Sequence, residues 1–133
     1  MIQRRLAPLL TLVALSACNE DSPAGEALSV PSGREISLIE VISNAPGNEG
    51  ATARFRFLAP GLSPDEVEST VADMQALCDA YALPRIEGMV PAPQQIVISL
   101  SAEPVPFGAA APDVVQFFEI YRPEAGACIW EPF

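Results

Sequence analysis

The sequence contains neither histidine nor lysine. Without histidine it can form no Ser-His-Asp triad and no Cys-His pair, and a zinc site would lack its usual nitrogen ligand. Without lysine, Schiff-base chemistry and a Ser-Lys pair are also excluded. A glycine-rich phosphate loop is missing as well, since residues 47–50 have only the composition of a turn. We therefore expect no cofactor and no bound metal ion.

Carboxylates are plentiful, and a carboxylate pair is the catalytic arrangement that this composition leaves open. Asp113 precedes an apolar strand predicted at 114–122, and Glu119 lies within that strand. Among seventeen acidic residues, two within reach of one groove carry little weight. A small carboxylate-dependent hydrolase is therefore an alternative hypothesis, ranked below a non-catalytic protein.

Basic residues are scarce, with seven arginines against seventeen acidic residues and a net charge of −10. Binding to nucleic acid needs clustered basic side chains that release counterions, so this composition argues against it. It also argues against electrostatic binding to anionic lipids. An acidic surface most often serves solubility. It is also compatible with an acidic inhibitor of a basic secreted enzyme, a second alternative whose binding would weaken with salt.

Residues 1–17 have the composition of an export signal, with Arg4 and Arg5 before the apolar run 6–15 and small residues after it. The run is too short to cross a bilayer as a permanent helix. The sequence Leu-Ser-Ala-Cys that ends at Cys18 resembles the lipobox of bacterial lipoproteins.

The lipobox resemblance implies cleavage before Cys18 and attachment of lipid to its sulfur. Several acyl chains on one residue are enough for stable anchoring to a membrane. Asn19 is not the aspartate that marks inner-membrane retention, so the resemblance implies the periplasmic side of the cell envelope and favours the outer membrane. The alternative is an ordinary secretory signal that releases a soluble protein.

The rest of the chain divides into a tether and one domain. Residues 18–32 are rich in small, polar, proline and glycine residues and predict a flexible tether. Residues 33–133 are long enough for a single domain with one core. After removal of residues 1–17, the net charge becomes −12.

One long helix is predicted over residues 62–83. Ser63, Pro64 and Glu66 have the spacing of a capping box at its start, and Pro84 is expected to end it. Apolar residues at helical spacing predict one buried stripe: Val67, Val71, Met74, Leu77, Cys78 and Tyr81. Charged and polar residues outside this stripe, Asp73 among them, are predicted to face water.

Five strands are predicted around this helix, from their β-branched content and alternation. They cover residues 35–42, 52–58, 95–101, 114–122 and 127–131. Residues 103–113 carry three prolines and predict a loop, and residues 123–126 predict a four-residue hairpin loop. The order ββαβββ indicates an α+β fold, with a mainly antiparallel sheet of about five strands and the helix on one face.

Two cysteines remain once Cys18 carries lipid. Cys78 lies on the helix and Cys128 on the last strand, and in an oxidising compartment we expect them to form a structural disulfide. It would close a loop of about 50 residues and contribute about 4 kcal/mol. A redox-active or metal-binding pair is the alternative, but the sequence has no Cys-x-x-Cys motif.

The strand at 114–122 is apolar on both faces, while a single helix can cover only one. The other face is predicted to be either buried within the monomer or open to an exported protein partner. The predicted partner surface comprises Arg54, Arg56, Phe117, Glu119 and Tyr121.

From about residue 30 onward, the chain resembles a family of small exported bacterial proteins without an assigned function. The resemblance lies in residues 30–33, 53–60, 73–78, 96–101, 116–122 and 128–131. It implies no mechanism, because such a family has no catalytic or binding residues to transfer. Our leading hypothesis is a lipid-anchored envelope protein of unknown activity, with a non-catalytic protein-binding or structural domain.

Overall fold

The computed structural model describes residues 26–47 and 50–132. Six strands are present: β1 (Ala27–Leu28), β2 (Ile36–Gly47), β3 (Gly50–Leu58), β4 (Gln95–Ser101), β5 (Gln116–Glu124) and β6 (Ala127–Glu131). Between β3 and β4 lie α1 (Val67–Leu77), a π-helical turn (Cys78–Ala82) and α2 (Leu83–Ile86). These three pieces follow one another without a break and form one long helical segment.

The strands form a single sheet whose order follows the chain, β1-β2-β3-β4-β5-β6. Neighbours are antiparallel except β3 and β4, which are parallel and are connected by the helical segment. The predicted α+β class is confirmed, with six strands rather than five. The additional strand, β1, is two residues long and lies in a stretch too short and too polar to show a strand pattern.

The core lies between one face of the sheet and the helical segment. Phe55, Phe57 and Ile98 are fully buried on the sheet side, and Met74 and Leu77 are buried on the helical side. The ring of Tyr81 meets Phe55 and Phe57 edge-on, at centroid distances of 6.2 and 5.6 Å. Such edge-to-face contacts add to the stabilisation from burial.

The helix starts and ends later than predicted. It begins at Val67, and Ser63 instead accepts a hydrogen bond at its carbonyl from the Glu66 N–H, forming a turn before the helix. At the other end the π turn precedes Pro84, whose ring would clash with the carbonyl four residues back in a regular helix. The helical segment therefore continues to Ile86, and Pro84 lies in the first turn of α2.

The predicted stripe is buried at Met74, Leu77, Cys78 and Tyr81, but its first two positions are not. Val67 and Val71 are 51% and 42% exposed, while Thr70 and Asp73 are fully buried. Asp73 was predicted to face water. Its burial is tolerated because its carboxylate accepts hydrogen bonds from Ser32 and Arg34.

The hairpin between β5 and β6 has a two-residue loop, because Pro123 and Glu124 pair with Cys128 and Ala127. Both loop residues, Ala125 and Gly126, have positive φ, of 50° and 80°. This is the pattern of the tight turns whose twist matches that of the flanking strands. The predicted four-residue loop was wrong for this reason.

The last residues of the predicted tether belong to the folded domain. Ala27 and Leu28 pair with β2, Val30 is buried in the core, and residues 18–25 lie outside the described residues, as does the predicted signal at 1–17. No helix within the described part of the chain is long and apolar enough to cross a membrane.

Candidate functional site

A groove of about 210 Å³ lies on the face of the sheet opposite the helix. Its floor comes from β3, β4 and β5, where the register aligns Arg54 with Val97 and Arg56 with Ser99. Phe118 of β5 pairs with Ser99 and lies on the same face. One wall is formed by the loop after β4, including Val105 and Phe107.

The wall loop is held to the sheet by Arg56. The guanidinium of Arg56 donates hydrogen bonds to the Glu40 carboxylate and to the Val105 carbonyl. Arg56 is 9% exposed and Val105 is 8% exposed. The side chain of Ser101 also donates a hydrogen bond, of 2.5 Å, to the Glu103 carbonyl. Arg56 therefore has its charge paired and acts as a structural group under the loop.

Aromatic side chains border the groove. Phe107 lies over both guanidinium groups, with its ring centroid 5.4 Å from Arg54 and 5.8 Å from Arg56. Phe107 is 56% exposed and Phe118 is 55% exposed. The groove thus combines a cationic floor with two accessible aromatic rings.

Arg54 differs from the arginines that form ion pairs. Arg34, Arg56 and Arg122 each contact a carboxylate, whereas within the described part of the chain Arg54 makes no ion pair. Its Nε is shielded from solvent without a hydrogen-bond acceptor, one of two such buried side-chain atoms among the described residues. Buried donors without a partner are rare in folded proteins. Arg54 therefore has an N–H donor at the groove that no described residue satisfies.

The charge of the groove also differs from the net charge of the chain. Among the described residues, no aspartate or glutamate lines it, although the chain carries a net charge of −10. A cationic groove on an acidic protein favours a ligand with negative charge at that position.

The structure does not bring the five predicted partner-surface residues to one face. Phe117, Glu119 and Tyr121 pair with the core residues of β4 and lie on the helix side of the sheet. Tyr121 is 1% exposed and belongs to the core, and its burial raises the pKa of its phenol. Of the predicted set, Arg54 and Arg56 lie on the open face. The strand has two apolar faces in sequence, and only the pairing register decides which one meets the helix.

The proposed carboxylate pair is not assembled at the groove. Glu119 lies on the helix side and accepts a hydrogen bond of 2.6 Å from the indole N–H of Trp130. Asp113 is exposed in the turn before β5. Neither residue lines the groove. Within the described part of the chain there is also no group of three or more potential ligands arranged for a metal ion.

Cys78 and Cys128 are joined by a disulfide, with a sulfur–sulfur distance of 2.08 Å and a Cα–Cα distance of 6.1 Å. Both are buried. Around the bond, the Cys128 N–H donates to Asp79 at 2.9 Å and Gln75 donates to the Cys128 carbonyl at 3.0 Å. The pair ties the helical segment to β6 away from the groove. Cys18, the predicted lipidation site, lies outside the described residues.

A second charged cluster joins the N-terminal residues to the helix. Arg34 contacts Glu66 at 2.6 Å and the buried Asp73 at 2.9 Å. The hydrogen bond from Arg34 lowers the pKa of the Glu66 carboxyl. Ser32 donates to Asp73 from both its N–H and its hydroxyl. Every charge in this cluster has a partner, so its role is structural.

Phe107 and Val97 are groove residues that the sequence did not single out. Phe107 is an aromatic residue in a loop of proline, glycine and alanine, which is a usable signal because such a side chain has no regular core position there. Val97 alternates with the core residues of β4 and resembles an ordinary strand residue. Its place on the open face follows only from the structure.

The comparisons with known proteins identify a family without an assigned activity. Searches of curated proteins and of solved structures found no match. A family model matches residues 11–133, which is most of the chain, including all of the groove. The chain therefore belongs to the family of unknown function DUF6497.

Proposed function

We propose that this chain is a lipid-anchored cell-envelope protein whose domain binds another exported protein through the groove on its open sheet face. The groove carries this proposal, because it presents two exposed aromatic rings and an arginine that has no ion pair among the described residues. Arginine and aromatic residues are the side chains most enriched at protein interfaces.

A binding role agrees with the available side chains better than a catalytic one. The chain has no histidine or lysine, and no carboxylate of the described residues lines the groove. General acid–base catalysis at this position would therefore have no usual proton donor or acceptor. The exposed Phe107 and Phe118 would instead bury apolar area against a partner.

The anchor is proposed at Cys18, on the periplasmic side of the outer membrane. The chain enters the sheet at β1, which lies at one edge, and the groove is built on β3, β4 and β5. The entry point and the proposed binding surface are therefore on separate parts of the domain. Such an arrangement would leave the groove accessible to a partner in the periplasm.

Crosslinking in intact cells tests the binding role. The wild-type chain, Phe118→Ser and the control Val71→Ser would be purified after crosslinking, and captured proteins identified by mass spectrometry. Val71 is a matched control because it is an exposed apolar residue on the helix, away from the groove. We expect one exported protein to be captured by the wild type and by Val71→Ser, to be lost with Phe118→Ser, and to bind the wild type when both are purified. Equal capture by all three variants would contradict the proposal.

The anchor has a separate test. Membrane fractions would be separated on a density gradient for the wild type and for Cys18→Ser, with intact mass measured on the purified wild type. We expect the wild type in the outer-membrane fraction with the added mass of lipid at Cys18, and a loss of membrane association in the variant. A wild-type chain without lipid in the soluble fraction would overturn the anchor.

A further inference from the structure

We propose that Arg54 binds the side-chain carboxylate of an aspartate or glutamate in an extended segment of the partner, and that a neighbouring apolar side chain of that segment packs between Phe107 and Phe118. This inference rests on the proposed binding function and specifies the chemistry of its ligand.

The hydrogen-bonding state of Arg54 carries the first step. Its guanidinium has no ion pair among the described residues, and its Nε is buried without an acceptor. Phe107 covers the guanidinium through its ring face, 5.4 Å away. A ring face attracts the positive charge but leaves the in-plane N–H groups unsatisfied. The N–H groups of Arg54 therefore have no acceptor among the described residues.

The hydrogen bonds of Arg56 explain why the proposed ligand needs only one carboxylate. Its N–H groups already bond Glu40 and the Val105 carbonyl, so it holds the loop that carries Phe107. Of the two arginines in the groove, Arg54 is the one without an ion pair among the described residues. Its planar fork matches a carboxylate in a bidentate geometry. Phosphorylated motifs are typically bound by clusters of arginines, and the groove offers no such cluster.

The size of the groove favours a side chain over a whole small molecule. Its volume is about 210 Å³, below the range of roughly 300–1,000 Å³ that is typical of small-molecule pockets. A peptide segment can place one acidic and one apolar side chain in such a groove while the rest of the segment stays outside. Arg54 supplies the complementary charge in a lining without acidic side chains among the described residues, and the acidic remainder of the surface would repel the same segment elsewhere.

Titration of the purified full-length chain with defined tetrapeptides tests this assignment. The probes are acetyl-Ala-Glu-Phe-Ala-amide and acetyl-Ala-Gln-Phe-Ala-amide, which differ only in the carboxylate, with binding followed by ligand-observed NMR. We expect the Glu peptide to bind the wild type about tenfold more tightly than the Gln peptide, the loss typical of a charge-assisted hydrogen bond. Arg54→Gln should bind both peptides equally and weakly.

Arg122→Gln is the matched control, because Arg122 is on the same sheet face but is paired with Glu124 and Glu131. It removes the same charge and should leave the preference for the Glu peptide unchanged. An equal loss in both variants would show a general charge effect and overturn the proposal. If Arg54→Gln fails to fold, the comparison of the two peptides on the wild type decides alone: equal binding overturns the proposal.

Two further outcomes separate this inference from the proposed function. If Arg54→Gln still captures the exported partner and Phe118→Ser does not, the groove binds a protein but the carboxylate assignment is wrong. If the peptides show the dependence on Arg54 while no partner is captured in cells, the carboxylate site stands and the proposed function fails. Stronger binding of acetyl-Ala-Gln-Phe, with a free C-terminal carboxylate, would overturn the assignment to a side chain.

Discussion

Asp73 and Arg54 are two charged residues that differ in whether their buried polar atoms have hydrogen-bond partners. Asp73 is fully buried, and its two oxygens accept hydrogen bonds from Ser32 and Arg34. Arg54 is shielded at its Nε but has no acceptor there. A buried charge with all its partners stabilises a particular arrangement, whereas one without them marks a place where a partner from outside can bind.

Asp73→Ala should lower the free energy of unfolding by about 2–4 kcal/mol, because it leaves the N–H and hydroxyl of Ser32 and the Arg34 guanidinium without their acceptor. Chemical denaturation measures this. Asp65→Ala is the control, since Asp65 is exposed and should change stability by less than about 0.5 kcal/mol. Equal effects of the two substitutions would contradict a structural role for the buried cluster.

Glu66 makes the stabilisation from the Arg34 cluster depend on pH. Its pKa is held below the ordinary value of 4.5 by the hydrogen bond from Arg34, so the ionised form is favoured in the folded state. The stabilisation is complete above the ordinary pKa and is lost as the pH falls through 4.5 toward the lower folded-state pKa. Glu66→Gln should flatten the decline of the denaturation midpoint between pH 5 and pH 3, because glutamine cannot be protonated in this range. An unchanged pH profile would assign the decline to other carboxylates.

Single residues were predictable where their role is local and unpredictable where it depends on register. Arg54 and Arg56 were identified from strict alternation in a short strand, and both lie in the groove. Phe117 and Tyr121 were assigned to the open face, but they pair with Leu100 and Ile96 on the core side. A shift of one position exchanges the faces of a strand, and nothing in an evenly apolar strand indicates the choice.

At the scale of elements, alternating strands were predicted more accurately than the helix. The bounds of β4 and β6 agree with the predicted ranges. The helix is displaced at both ends, because a turn precedes it and a π turn carries it past Pro84. Its buried face differs from the predicted one only in the first turns, where Thr70 and Asp73 are buried in place of Val67 and Val71. The partners of Asp73, Ser32 and Arg34, are not visible in the local pattern.

The orientation of the helix can be checked with two substitutions. Met74→Ala should cost about 2–4 kcal/mol, because Met74 is 1% exposed and its removal leaves a cavity against the sheet. Val71→Ala, at a site 42% exposed, should cost less than about 1 kcal/mol. Thermal or denaturant unfolding distinguishes them. A larger loss of stability for Val71→Ala than for Met74→Ala would show that Val71 faces the core, as the sequence predicted.

At the scale of the molecule, the disulfide joins the helical segment to the last strand across a sequence separation of 50 residues. On the chain-entropy account, closing a loop of this size contributes about 4 kcal/mol by restricting the unfolded chain. Cys78→Ala with Cys128→Ala should therefore lower the unfolding free energy by up to about 4 kcal/mol while leaving peptide binding at the groove intact. Unfolding with and without reductant gives an independent measurement. A loss below about 1 kcal/mol would contradict this account.

The order of the strands in the sheet affects the order in which they can pair when the chain is made from its N-terminus onward. Every strand pairs with its neighbour in sequence, so β2 and β3 can pair before the helix has appeared. Only the parallel pairing of β3 with β4 must wait for the whole crossover. Cys78 can form its native disulfide only once Cys128 is present, and Cys128 lies on β6, next to β5 at the far edge. The disulfide therefore adds its covalent tie between the middle of the chain and its last strand only after the other strands have been made.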